Sequence, residues 1–153
     1  MSKLDGWPGE ARDELVNREM PDFGPAAWVQ GPPLRDRRVA LVSTAGIHRR
    51  GDRPFADGSA DYRVIPEEIP AAEVVMSHIS TNFDRTGFQQ ELNVIFPIDR
   101  LKELADDGVI GSVARFHYAF MGATPVEQME ASAIEIAGLL KADEVDAVCL
   151  VPV

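Results

Sequence analysis

The sequence contains a single cysteine in 153 residues, so neither an internal disulfide framework nor a site built from several thiolates is available within the chain. No apolar run approaches the roughly 18 residues of a membrane span. The N-terminus, Met1-Ser2-Lys3-Leu4-Asp5-Gly6, has no apolar segment after its lysine, so a signal peptide is not expected and a cytoplasmic location is. Positive charge is scarce: Lys and Arg total 15 against 25 Asp and Glu, a net charge of -10. Such a chain repels phosphate backbones and anionic lipid. The dense basic stretches, Arg35-Asp36-Arg37-Arg38 and Arg49-Arg50-Gly51-Asp52-Arg53, contain acids and no interleaved aromatics. They read as solvated loops, and neither a nucleic-acid nor a membrane partner is expected. Walker-type and GxGxxG phosphate loops are also missing. His48, His78 and His117 show no HxxxH spacing, so no metal site is expected.

What remains is an ordinary globular composition, 45% hydrophobic and 26% charged, of a length that suits one domain. Residues 1–37 stand apart, holding Pro8, Pro21, Pro25, Pro32 and Pro33 of the chain's 11 prolines. They read as an irregular arm with one short helix over residues 9–20, lying across the main body and pinned by Trp7, Phe23 and Trp28. Residues 38–153 read as an α/β domain. Val39-Ala40-Leu41-Val42 is a continuous apolar run of the kind that forms a strand covered on both faces. Further strands are expected over residues 73–79, 113–120 and 146–151. Helices are expected over 97–105, stopped by Gly108, and over 124–141, where Thr124 and Glu127 form a capping box around Pro125. In the second helix Val126, Met129, Ala133, Ile136, Ala137 and Leu140 make a stripe facing the core. Alternating strands and helices predict an α/β fold with a mainly parallel sheet flanked by helices, Rossmann-like.

In such sheets ligands gather outside the carboxyl ends of the strands. Those ends are polar here. Ser43, Thr44, Gly46 and His48 follow the first strand. Ser77, His78, Ser80, Thr81, Asn82, Asp84 and Arg85 follow the second, and Gly122 and Thr124 the third. Each has a plain alternative: His78 as a hydrogen-bonded structural histidine, Asn82 and Asp84 as turn formers, Thr44 and Gly46 as an ordinary turn. Cys149 sits in an apolar run and reads as an inert buried thiol.

Several ordered segments resemble the selenoprotein B family of glycine, betaine, sarcosine and D-proline reductases. They are His78-Ile79-Ser80-Thr81-Asn82-Phe83-Asp84-Arg85-Thr86-Gly87-Phe88-Gln89-Gln90 and Leu92-Asn93-Val94-Ile95-Phe96-Pro97-Ile98-Asp99-Arg100-Leu101, with Ala40-Leu41-Val42-Ser43-Thr44-Ala45-Gly46-Ile47-His48 and Gly51-Asp52-Arg53-Pro54-Phe55 upstream. Ile110-Gly111-Ser112 and His117-Tyr118-Ala119-Phe120-Met121-Gly122 follow downstream. The similarity covers about residues 38–153 and is densest over 78–122.

The resemblance implies an oxidoreductase that reductively cleaves a C–N bond in a small amino acid or betaine-like substrate. A selenocysteine, with a cysteine three positions later, would stand just after Val153. The domain would then be truncated at its C-terminal redox loop and inactive as written. Family B-type subunits are also longer. Electrons would come from a dithiol or thioredoxin-type donor, and a pyruvoyl group would reside on a partner. Other reductase-complex subunits, or copies of the chain itself, are the partners implied. By the same resemblance Ser43, Thr44, Gly46, Ser80, Asn82 and Arg85 would bind substrate, His78 would exchange a proton or stabilise the selenolate, and Asp84 would orient His78 or a substrate cation. The alternatives are a non-catalytic small-molecule binding module and a structural subunit of the same fold.

Overall fold

The computed structural model describes residues 8–17, 19, 22, 24, 29–80 and 85–153. The central strand β1 (Arg38–Ser43) is the apolar run seen in the sequence, with Ala40 and Leu41 fully buried. It pairs in parallel with β5 (Ser112–Val113) and β6 (Phe116–Ala119) on one side and with β7 (Ala147–Val151) on the other. Strand β3 (Arg63–Pro66) adds to β6 antiparallel. Strands β2 (Ile47–Arg49) and β4 (Val74–Met76) form a separate antiparallel pair. The sheet is therefore mixed rather than mainly parallel. The expected second core strand over residues 73–79 leaves the main sheet, because the short β2 immediately after the β1 loop supplies it with an antiparallel partner.

Strands β5 and β6 are one strand interrupted. Their register against β1 shifts by two residues between Val39↔Val113 and Val42↔Tyr118. At the interruption Ala114 donates to Val39 O at 2.9 Å, and the Leu41 amide is taken instead by the His117 side chain. An interrupted ladder would otherwise leave a buried backbone donor without a partner.

Of the helices, α1 (Gly9–Val16) lies in the N-terminal segment, and its described side chains are exposed. Trp7, Phe23 and Trp28, the expected anchors of that arm, lie outside the described residues. Helix α2 (Thr86–Gln90) is short. Helix α3 (Ile98–Asp106) buries Ile98 and Leu101, and it stops as expected at Gly108, whose φ of +68° suits a left-handed terminus. Pro97 cannot cap α3, and Asn93 does so from outside, accepting the Asp99 amide at 3.0 Å. Helix α4 (Glu130–Ala142) begins later than expected, after a 3-10 turn over Val126–Met129. The Thr124 capping box does not form: its hydroxyl donates to Ser59 O at 2.7 Å. Of the expected stripe only Ile136 is fully buried; Met129 and Leu140 pack partly, while Val126, Ala133 and Ala137 are exposed.

The main core lies on the β1 face that carries Leu41, among Ile47, Ile65, Ile95, Phe96, Ile98 and Leu101. A smaller cluster of Tyr118, Phe120 and Ile136 lies with Val42 and Tyr62 packed against it. Strand β7 departs from expectation. It has the apolar sequence of a core strand, but Val148, Cys149 and Leu150 are all exposed, Leu150 by 71%. Among the described residues its one ladder partner is β1, and Cys149 is an exposed thiol, not a buried one. Among the described residues no helix is long and apolar enough to cross a membrane.

Candidate functional site

The carboxyl end of β1 organises the polar residues singled out in the sequence. Ser43 is fully buried, its hydroxyl donating to Ile95 O at 2.8 Å and accepting the Ala45 amide at 3.2 Å. Thr44 faces the exit of β7: its amide donates to Val151 O at 3.1 Å, and its hydroxyl accepts the Val153 amide at 2.8 Å. Its carbonyl accepts the Gly122 amide at 2.9 Å, so the loop after β6 joins the same point. Gly46, with φ of +64°, turns the chain into β2, and a Cβ there would lie 3.0 Å from His78 Cα. The Ser77 amide donates to Gly46 O at 3.0 Å, so the β1 and β4 loops are in direct contact.

His78 is buried, with 6% exposure. Its Nδ1 accepts the Ser80 amide at 3.1 Å, which puts the ring proton on Nε2 in the neutral form. Burial, and then the neighbouring Arg85 charge, hold its pKa below the ordinary value, so the ring is neutral at neutral pH. The Arg85 guanidinium donates to His78 O and to Ser80 O, closing the turn between them. Arg85 thus acts on the backbone of the His78 loop, where the sequence had suggested a substrate carboxylate as its partner. Thr81, Asn82, Phe83 and Asp84 lie outside the described residues, among them the expected site residues Asn82 and Asp84. Ser43, Thr44, Gly46, His78, Ser80 and Arg85 therefore belong to one connected rim. Thr44 and Gly46 tie its loops together, while Ser43 is held inside by Ile95.

Several contributors were not visible from sequence. Arg63, only 8% exposed, donates to Arg53 O, Asp61 Oδ2 and Tyr62 O at 2.8–2.9 Å and stacks 4.3 Å above the Phe55 ring. It fixes the loop between β2 and β3. Burial raises the Asp61 pKa, but hydrogen bonds and charge from Arg63 and Arg53 outweigh that and lower it. Thr124, expected at the rim, ties this loop to the segment before α4 through Ser59. His48 is buried on β2, its Nδ1 donating to Arg49 O at 3.0 Å. Among the described residues no group of His, Cys, Asp and Glu could hold a metal ion.

A mixed α/β sheet with polar side chains at the carboxyl end of its central strand defines the class: an α/β protein whose loops after β1, β4 and β6 are joined at that end. The family profile described as glycine/sarcosine/betaine reductase selenoprotein B matches residues 10–153, and the chain belongs to that family. The chain is 34% identical over 135 residues to the D-proline reductase subunit gamma of Acetoanaerobium sticklandii, a match covering 86% of this chain and 55% of that protein. It is 32% identical over 129 residues to the glycine reductase complex component B subunit gamma of Symbiobacterium thermophilum, covering 78% of this chain and 30% of that protein. The chain thus spans about half the length of one curated relative and under a third of the other. No solved structure matches it.

Proposed function

We propose that this chain is a component of a selenoprotein B-type reductase, acting on a small amino acid or betaine-like substrate, with a selenocysteine/cysteine pair following Val153. Family membership over residues 10–153 supports the reductase role. The observation that carries the site assignment is the tie from Thr44 to Val151 and Val153, which brings the exit of β7 to the rim that holds His78. The pair would supply a two-electron reduction: the substrate C–N bond is cleaved, the carbon takes a proton, the amine leaves, and a dithiol or thioredoxin-type donor ends as its disulfide.

The chain's own residues shape that event. Neutral His78, with its ring proton on Nε2, would exchange a proton with the leaving amine or the reduced carbon. The amides of Thr44, Ala45 and Gly46 are taken by Val151 O, Ser43 Oγ and Phe120 O. Thr44 and Gly46 would therefore serve by holding the β1 loop against β7 and His78 rather than by donating to a substrate carboxylate. Arg85 fixes the His78–Ser80 turn; by the family resemblance Asn82 would bind substrate and Asp84 would orient His78. A cytoplasmic setting suits the chemistry, since thiols are kept reduced there. The partners are other subunits of a reductase complex, one of which would carry any pyruvoyl group. A second reading, a subunit that docks without redox chemistry, is favoured by the exposed apolar edge of β7 at Val148 and Leu150.

The test is the native gene product incubated with dithiothreitol and, in turn, glycine, sarcosine, betaine and D-proline, with product release followed over time. Dithiol-dependent cleavage of one of them, sharply reduced by His78→Ala, is the expected result. Absence of turnover with every substrate, together with no alkylatable chalcogen after Val153, supports the docking reading instead.

A further inference from the structure

We infer that Thr44 is a positioning residue for the redox residue, fixing where the chain leaves β7; the inference rests on the reading above. The β1–β7 ladder ends at the pair Ser43↔Val151. Pro152 has no N–H and cannot extend it. The next donor along the chain is the Val153 amide, and the Thr44 hydroxyl takes it at 2.8 Å, with Val153 O 3.4 Å from the same oxygen. One side chain therefore does for the strand exit what the backbone ladder does for the strand. Threonine suits the task because its β-branch restricts χ1, so the hydroxyl is held in place rather than free to rotate away.

Two glycines set this arrangement. A Cβ at Gly122 would lie 2.9 Å from Thr44 O, 3.0 Å from its Cβ and 3.1 Å from its hydroxyl, so a larger residue there would displace Thr44. On the other side a Cβ at Gly46 would press on His78. The segment 44–46 thereby sets both the exit of β7 and the seat of His78. A residue placed after Val153 keeps a fixed relation to that imidazole, and loss of the hydroxyl would release the exit while leaving the His78 contact in place.

The experiment uses the full native gene product as wild type, Thr44→Val, Thr44→Ser and Gly122→Ala. Amide hydrogen exchange reads the Val153 tie, and the pH dependence of iodoacetamide alkylation reads the environment of the redox residue. In Thr44→Val, Val153 exchange should rise on the order of 5-fold, as for loss of one net hydrogen bond. Its alkylation profile should shift, while Thr44→Ser, which keeps the hydroxyl but not the β-branch, should lie nearer to wild type than Thr44→Val on both readouts. Gly122→Ala should reproduce the Thr44→Val changes with the hydroxyl still present. Thr44→Ala replaces the valine variant if that does not fold. Unchanged Val153 exchange, or changed exchange with an unchanged alkylation profile, overturns the positioning role while leaving the functional reading intact. A wild type with no alkylatable group after Val153 overturns both.

Discussion

The His117 imidazole accepts the backbone amide of Leu41 at 2.9 Å, where the strand formed by β5 and β6 breaks register with β1. A side chain here completes a sheet ladder in the fully buried centre of the domain. Accepting through Nδ1 requires the neutral ring. Burial pushes the pKa down to about 4, the Lys102 charge adding to the depression and Asp143 opposing it.

This contact makes stability depend on pH. The unfolded imidazole takes a proton near 6.5, whereas the folded one resists it down to about 4. Its contribution is complete above 6.5 and is lost progressively as pH falls towards 4, up to about 3 kcal/mol. Urea unfolding at pH 7.5 and 4.5 should show wild type losing more stability on acidification than His117→Phe. The His78 shift has the same direction and remains in both proteins. Equal losses would remove His117 as the cause.

Asp143 is the electrostatic counterpart at the N-terminal end of β1, beside Arg38. It is only 6% exposed and accepts from Arg38 Nη2 at 3.0 Å, Arg115 Nε at 2.7 Å and the Arg115 amide at 2.8 Å. Burial raises its pKa, but the Arg115 hydrogen bonds and the Arg38 and Arg115 charges outweigh this and lower it. Asp143→Ala should destabilise by about 3 kcal/mol, since it strands a partly buried arginine. Chemical denaturation measures this, and a loss under about 1 kcal/mol would show that the ion pairs are solvent-screened.

How much of this was legible in the sequence depended on whether a residue's partner was local. Strand β1 announced itself through Val39-Ala40-Leu41-Val42, and α3 through its spacing and Gly108. Strands β2 and β3 were not seen, because three or four residues containing His48, Arg49, Arg63 or Pro66 carry no alternation that distinguishes them from a loop. Strand β7 was seen but assigned to the core: apolar content does not say whether a neighbour covers it. Thr124 had the local signature of a cap, and Ser59, 65 residues away, took its hydroxyl. The rim followed the same rule. The clustering of Thr44, Gly46, His78 and Arg85 was readable from strand ends, but the Thr44–Val153 and Arg85–His78 bonds depend on loop conformations that no spacing encodes.

Gly46 combines a φ of +64° with contact against His78. Gly46→Ala should cost about 2 kcal/mol through the strained backbone alone, and it should also displace His78. Thermal denaturation and turnover should both fall. A variant with wild-type melting and activity would show that the β1 loop relaxes without cost.

Arg85 is exposed and, among the described residues, bonds only backbone oxygens of the His78 loop. Arg85→Met should therefore change stability by less than about 1 kcal/mol. It should lower kcat/KM on the order of tenfold by loosening the seat of His78. Unaltered kinetics would remove Arg85 from the site.

The most direct measurement is peptide mapping of the native gene product by mass spectrometry after reduction and iodoacetamide labelling. The account predicts a labelled selenocysteine, with a cysteine three positions on, in the peptide that contains Leu150-Val151-Pro152-Val153. Recovery of that peptide with neither residue following it would contradict the assignment of β7's exit as the bearer of the redox centre.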